Sequence, residues 1–223
     1  MLSAAGHVFS LLKRKVEKTT AHYLGHDVDL QDVDAESDLT IREINNLAKN
    51  LMFNGSLTTE EKEELVSKIG HLAYMGAPEA GRTAATCLNE MITLLKSRST
   101  SETFKDKIVM AISEICYLNR DNQNRAVAAL PVLVEMMGNI SPVHRSRLAC
   151  YCITCLVCNN YTMLIQLQDV PELKENLLTC RNVRSPWTGW SDNYADLLID
   201  ILYSETSGAS HLLSSSYRSD MTR

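Results

Sequence analysis

The chain is short of the residues that punctuate and stiffen folds. It has five prolines, nine glycines and only 6% aromatics among 223 residues. So few turn formers, beside plentiful Leu, Ala, Glu, Lys and Met, predict an all-α chain. No apolar run approaches the roughly 18 to 20 residues of a membrane span, so no transmembrane segment is expected. No basic stripe runs through it either. The formal net charge is -5 and the sequence pI about 5.7, which argues against a general nucleic-acid binder. The N-terminus does not read as a cleavable signal peptide, because its apolar stretch is short and its basic cluster follows it. The seven cysteines are odd in number and lie in apolar helical text. They read as free thiols of a reducing compartment, with a cytoplasmic setting expected.

Also missing are the motifs of common chemistry. There is no G-x-G-x-x-G, phosphate loop, G-x-S-x-G or H-E-x-x-H. The six histidines are scattered. No catalytic residue, cofactor or metal site is expected, and the chain reads as a non-enzyme.

What is present is helical periodicity. Residues 1–24 place Leu2, Ala5, Phe9, Leu12 and Val16 on one stripe, beside a basic band of Lys13, Arg14, Lys15 and Lys18. This N-terminal amphipathic helix could suit an anionic surface (membrane, tubulin or an acidic protein groove), or it could pack back on the rest of the chain. Residues 25–38, "GHDVDLQDVDAESD", resemble a calcium loop only in their aspartates. Counted from Asp27, the sixth and twelfth positions hold Asp32 and Asp38 where glycine and glutamate are needed. They read as a solvated acidic linker.

The domain is expected over residues 39–203, followed by a serine-rich flexible tail, 204–223. A first helix carries Ile41, Ile44, Ala48 and Leu51 on one face and stops at Asn54-Gly55. A second opens with the capping box Thr58…Glu61. A third runs from about Glu79 to Leu95. From about residue 103 the same order recurs: a long helix, a polar turn, a short helix, a proline and another short helix.

Three blocks can be overlaid. Ile69, Ile112 and Ile153 coincide, as do Leu72, Ile115 and Leu156. So do Leu88, Leu130 and Val170; Met91, Leu133 and Leu173; and Leu95, Met137 and Leu177. Their spacing is about 40 to 43 residues, within the span of helical solenoid repeats. Pro131 and Pro171 then begin helices instead of breaking them, because the first helical amide lacks an intrahelical partner anyway. The first block has no matching proline, so its bend is made differently or is absent.

The run "ISEICYLNRDNQNRAVAALPVLVEMM" resembles an armadillo repeat. Leu118, Asn119, Asn124, Arg125, Val127, Leu130, Pro131, Leu133, Val134 and Met137 occupy that family's pattern. The second copy keeps Asn159, Asn160, Ile165, Val170, Pro171, Leu173 and Leu177 but has Tyr161-Thr162 in place of Asn-Arg. Ala129 and Asp169 stand where the family has glycine. Among whole proteins the chain is similar to the short armadillo-like helical domain-containing proteins. The resemblance implies a short right-handed armadillo-like superhelix of about three to four repeats, binding protein partners along its concave face. It also implies a non-catalytic scaffold, with a cytoskeletal, ciliary or flagellar setting as one version.

Each remaining oddity has two readings. "CYCITCLVC", residues 150–158, holds Cys155 and Cys158 at C-x-x-C spacing, so a metal-binding or redox-sensing protein centred on Cys150–Cys158 is the alternative function. On a helix, however, Cys152, Cys155 and Cys158 fan over about 120° and do not converge, which favours core packing. Trp187 and Trp190 either plug the end of the stack or anchor a partner. Phe9, Leu12, Lys13, Arg14, Lys15, Asn119, Asn160, Trp187 and Trp190 are the candidate partner-binding residues.

Overall fold

The computed structural model describes residues 30–203 apart from 77, 140, 141, 183–186 and 188. Every described element is helical, as expected. In chain order they are α1 (Leu30–Phe53), α2 (Thr59–Met75), α3 (Pro78–Ala84), a 3₁₀ turn (Ala85–Cys87), α4 (Leu88–Lys96), α5 (Glu102–Cys116) and α6 (Arg120–Arg125). A second 3₁₀ turn (Ala126–Ala129) leads into α7 (Leu130–Gly138), α8 (Val143–Val157), α9 (Tyr161–Gln168), α10 (Leu173–Asn182) and α11 (Tyr194–Tyr203). Residues 1–24, with Phe9, Leu12, Lys13, Arg14 and Lys15, and the tail 204–223 lie outside the described residues. The stretch read as linker differs from expectation: α1 begins at Leu30, so residues 30–38 continue the first domain helix.

The chain stacks in two layers. The long helices α2, α5 and α8 and the shorter α11 pack side by side, while α4, α7 and α10 line up behind them. The overlaid positions explain why. Ile69, Ile112 and Ile153 are each 0% exposed, and Met91, Leu133, Leu173, Leu95, Met137 and Leu177 are buried in one continuous cluster that runs from Ile44 to Leu202. A repeat of this kind cannot bury its apolar face alone, so each layer serves as its neighbour's core. At one end α1 lays Ile44, Ala48 and Leu51 over α2, α3 and the first 3₁₀ turn. At the other end α11 closes α8 and α10 with Ala195, Leu198 and Leu202.

Local chemistry sets the boundaries. Thr58 and Glu61 form the expected reciprocal capping box. Ser101 Oγ accepts from the Phe104 amide to start α5. Pro131 sits in the first turn of α7, directly after the second 3₁₀ turn, where it costs no hydrogen bond. Pro171 lies just ahead of α10. The block without proline makes its bend by the other 3₁₀ turn. There the Thr86 hydroxyl donates to the Thr83 carbonyl at 2.8 Å and the Cys87 thiol to the Ala84 carbonyl at 3.1 Å. The expected third helix is therefore two helices with a kink. Leu118 (φ 51°) and Asn159 (φ 63°) leave the ends of α5 and α8 in the left-handed region, at equivalent places in successive blocks. Asparagine tolerates that region better than leucine does.

Two buried amides lock the layers. Asn122 Nδ2 donates to the Ile115 carbonyl at 2.9 Å and, one block back, to the Gly81 carbonyl at 2.8 Å. Gln123 Nε2 donates forward to the Cys155 and Cys158 carbonyls, both at 2.9 Å. The side chains are 1% and 0% exposed. Asn176 Nδ2 reaches the Val134 carbonyl at 3.0 Å, and Gln168 Nε2 the Leu202 carbonyl at 2.8 Å. Ion pairs add a thinner seam along the long helices: Lys68 to Glu43, Lys107 to Glu63, and Arg145 to Asp106 and Glu102. Lys68 and Glu43 are both about half exposed, so that pair contributes under about 1 kcal/mol.

Asn122→Ala or Gln123→Ala orphans two buried carbonyls. Each is expected to lower the unfolding free energy by about 2 to 4 kcal/mol in urea titrations. Asn46→Ala, on the exposed side of α1, should stay within about 0.5 kcal/mol. Ile112→Asn or Ile153→Asn buries an unpaired amide and should lower the thermal midpoint read by circular dichroism.

Candidate interaction surface

The sequence-nominated residues divide sharply. Asn119 caps α6, its Oδ1 accepting from the Asn122 amide at 3.2 Å. Asn160 caps α9, accepting from the Met163 amide at 3.1 Å, while its Nδ2 donates to Asn124 Oδ1 at 2.9 Å. Asn160 is 0% exposed, so its side chain serves the fold and offers no surface.

Trp187 and Trp190 come together with four residues that sequence reading left aside. Their rings are 6.1 Å apart, and both pack on Tyr194. Trp190 lies 5.8 Å from Tyr151 and 6.0 Å from His144. The Arg147 guanidinium sits 5.1 Å over the Trp187 ring. Both tryptophans are half-buried. Trp187, Trp190 and Tyr194 therefore lie across the side of α8 that carries His144, Arg147 and Tyr151 and shield it.

The seven cysteines are all buried. Burial pushes the Cys87 and Cys152 thiols up to about 12 and raises Cys116, Cys155 and Cys158 as well. The three cysteines of the C-x-x-C region meet different neighbours. Cys152 faces the Ser113 hydroxyl, Cys155 lies beside the Tyr151 phenol, and Cys158 ends α8. Cys180 is the exception, lowered first by a hydrogen bond with Cys150 and further by Ser146 and Arg147. Among the described residues no group of three or more His, Cys, Asp or Glu is placed to hold a metal.

The side of the long helices that faces away from α4, α7 and α10 is the open one. On α2 it exposes Lys68, His71 and Met75; on α5 it exposes Lys107 and Met110. The aromatic cluster ends this strip at α8. In its middle, one turn beyond Met110, lies Glu114. Burial alone raises its carboxyl from 4.5 to about 7. The helix opposite leaves room for it at Gly70, where a Cβ would stand 2.7 Å from Ala111 Cα and collide with Glu114 Oε2. One further turn along, Tyr117 meets Tyr74 edge-to-face at 5.2 Å. Elsewhere a depression of about 320 Å³ between α1 and α2 has Leu47, Leu57 and Leu65 below a rim of Glu61, Glu64 and Lys68.

An all-helical stack of repeated layers, closed at both ends and open along one side, defines a helical-repeat protein of the armadillo-like class. The family model described as Armadillo-like helical domain-containing protein 2 matches residues 26–203, and the chain belongs to that family. No curated protein matches the chain. The fold is typically a scaffold rather than an enzyme, and no helix among the described residues is long and apolar enough to cross a membrane.

Glu114 was invisible in the sequence because a single carboxylate in an apolar helix resembles an ordinary solvated one. Its proton makes a measurable signature. The unfolded chain loses it near 4.5 and the folded chain near 7, so stability falls as pH rises through that window and levels off above it. Glu114→Gln is expected to match the natural chain at about pH 4.5 and to exceed it by about 3 kcal/mol at pH 8, as 2.5 units of pKa imply. Urea titrations at the two pH values check this. Ellman's reagent is expected to modify the thiols only as the fold opens, with Cys180 first, as mass mapping of partly labelled protein reads out.

Proposed function

We propose that this protein is a non-catalytic protein-interaction scaffold that presents the shared outer side of α2 and α5 to a partner. The observation that supports it is the uneven cover of the long-helix layer. Tyr151, Trp187, Trp190 and Tyr194 shield α8, while His71, Met75 and Met110 remain exposed on the helices before it. A methionine-bearing, half-apolar strip suits a binding surface, because flexible thioethers adapt to partner shape. The basic segment 1–24 is, in this reading, a second attachment point, for protein or an anionic membrane surface. A cytoplasmic setting is part of the proposal and rests on the free thiols, while its cytoskeletal, ciliary or flagellar version rests on the resemblance alone.

A photo-crosslinking residue at His71, Met110, Thr93 or Glu135 tests the face directly in native tissue extract. Thr93 and Glu135 lie exposed on the opposite layer. The same partner is expected from positions 71 and 110 and not from 93 and 135. The reverse pattern overturns the choice of face. Absence of crosslinks at all four positions, beside a specific turnover by the purified chain, overturns the scaffold reading.

A further inference from the structure

The Glu114 carboxylate is an expense the fold has no use for. It is largely enclosed, carries no hydrogen bond or ion pair among the described residues, and is raised by burial with no cation opposing that rise. A buried polar group is normally paired, and an unpaired one is retained at a cost. Around it the strip is shaped. Gly70 on α2 makes the room, since any side chain there would fill it and meet Ala111 as well. Along α5, Met110 precedes Glu114 and Tyr117 follows it by about one turn each, which puts all three on one face. Tyr117 and Tyr74 form one aromatic wall, with centroids 5.2 Å apart. On the far side Cys155 lies within electrostatic reach of both Glu114 and the Tyr151 phenol. Tyr151 is in turn 5.1 Å from Tyr194. The titratable groups placed around the acid are thus the Tyr74 and Tyr117 phenols and the Cys155 thiol, with Tyr151 and Tyr194 beyond the thiol, and burial is the one influence on its proton.

We propose that this notch receives the ammonium or guanidinium group of a lysine or arginine side chain from an extended segment of the protein partner. The chemistry is complementary in both parts. Phenol faces attract a cation within about 6 Å of the ring. An enclosed carboxylate gains more from a cation than an exposed one, because screening there is weaker. The methionine and tyrosine flanks would cover the aliphatic stem of such a side chain. An anionic or apolar side chain would leave the carboxylate unpaired at full cost, so the notch discriminates by charge. This inference rests on the open face being the binding surface.

The probe is a glycine–lysine alternating hexapeptide capped at both ends, with the glycine–glutamine peptide as control. It is titrated into the full-length chain at about pH 8 and near-physiological salt, so that diffuse attraction to a net-acidic protein is damped. Binding of the lysine peptide should weaken at least tenfold in Glu114→Gln, an isosteric change that should not harm the fold. In carbon-13 glutamate spectra, saturating lysine peptide should lower the Glu114 titration midpoint by about one unit or more. By linkage one unit is a tenfold preference for the ionised form. The glutamine peptide should leave the midpoint in place. Equal affinity for the natural chain and the variant, or an unmoved midpoint, overturns the notch as a cation site. The crosslinking pattern at positions 71 and 110 is independent of both readouts, so the scaffold can survive that failure. A full-length chain with Lys13, Arg14, Lys15 and Lys18 changed to glutamine supplies the remaining arm. If its Glu114 midpoint differs from the natural chain's without any peptide, the chain's own basic band fills the notch and the partner assignment is overturned.

Discussion

The stack depends on what happens to the carbonyls at the C-terminal ends of its long helices. A helix leaves its last four carbonyls without partners, and in a layered fold those ends are buried against the next layer. The amides of Asn122 and Gln123 resolve this by reaching in opposite directions. Asn122 ties the end of α5 to α3, and Gln123 ties α6 to the end of α8. Each amide uses both of its N–H groups, so one side chain fixes two backbone positions. The arrangement is not free of cost, since Gln123 Oε1 is buried without a partner. The apolar contacts between layers would tolerate sliding. The amides do not, because a shift of one residue would strand four carbonyls.

Fixing the register at that end of each long helix also fixes the opposite, open side. Once Ile112 and Ile153 point into the shared core, residues about half a turn away must point out. On α5 these are Lys107, Met110, Glu114 and Tyr117. The position of the notch is thus inherited from the clamp. α8 shows what happens when the same side is claimed by the chain itself. Tyr151 is covered by Trp190 and Tyr194, and the strip ends there.

Much of this architecture was legible in the letters. The triplet Ile69, Ile112 and Ile153 announced the period, and Pro131 announced a helix start, because both signals are local or periodic. The structure places those residues as expected. The kink at Ala85–Cys87 was not legible, since alanine and threonine carry no turn signature. The helical continuation from Leu30 through the acidic run was missed because charge density was read as solvation alone. The clamp itself hid in plain view. Asn122 and Gln123 read as part of a polar turn, where buried and exposed amides look the same, and the neighbouring asparagines drew attention in their place. Asn160, nominated for a partner, proved to be an enclosed cap. An amide's role depends on which carbonyls tertiary packing brings to it, and no spacing rule in a single chain reports that.

Glu114 shows the same limit from the other side. The clamp amides are buried and nearly satisfied, so they stabilise the fold and are explained by it. Glu114 is half-buried and carries no hydrogen bond or ion pair among the described residues, so it destabilises the fold above neutral pH and the fold does not explain it. The two differ only in whether a partner lies within the chain. A glycine directly opposite, where a helix would gain from alanine by roughly 0.5 to 1 kcal/mol, adds a second local sacrifice at the same spot. The close approach of Ala111 explains the glycine by packing, but it does not explain the half-buried carboxylate beside it. That carboxylate is accounted for when its partner comes from another molecule, which would supply the charge that the rest of the stack leaves out.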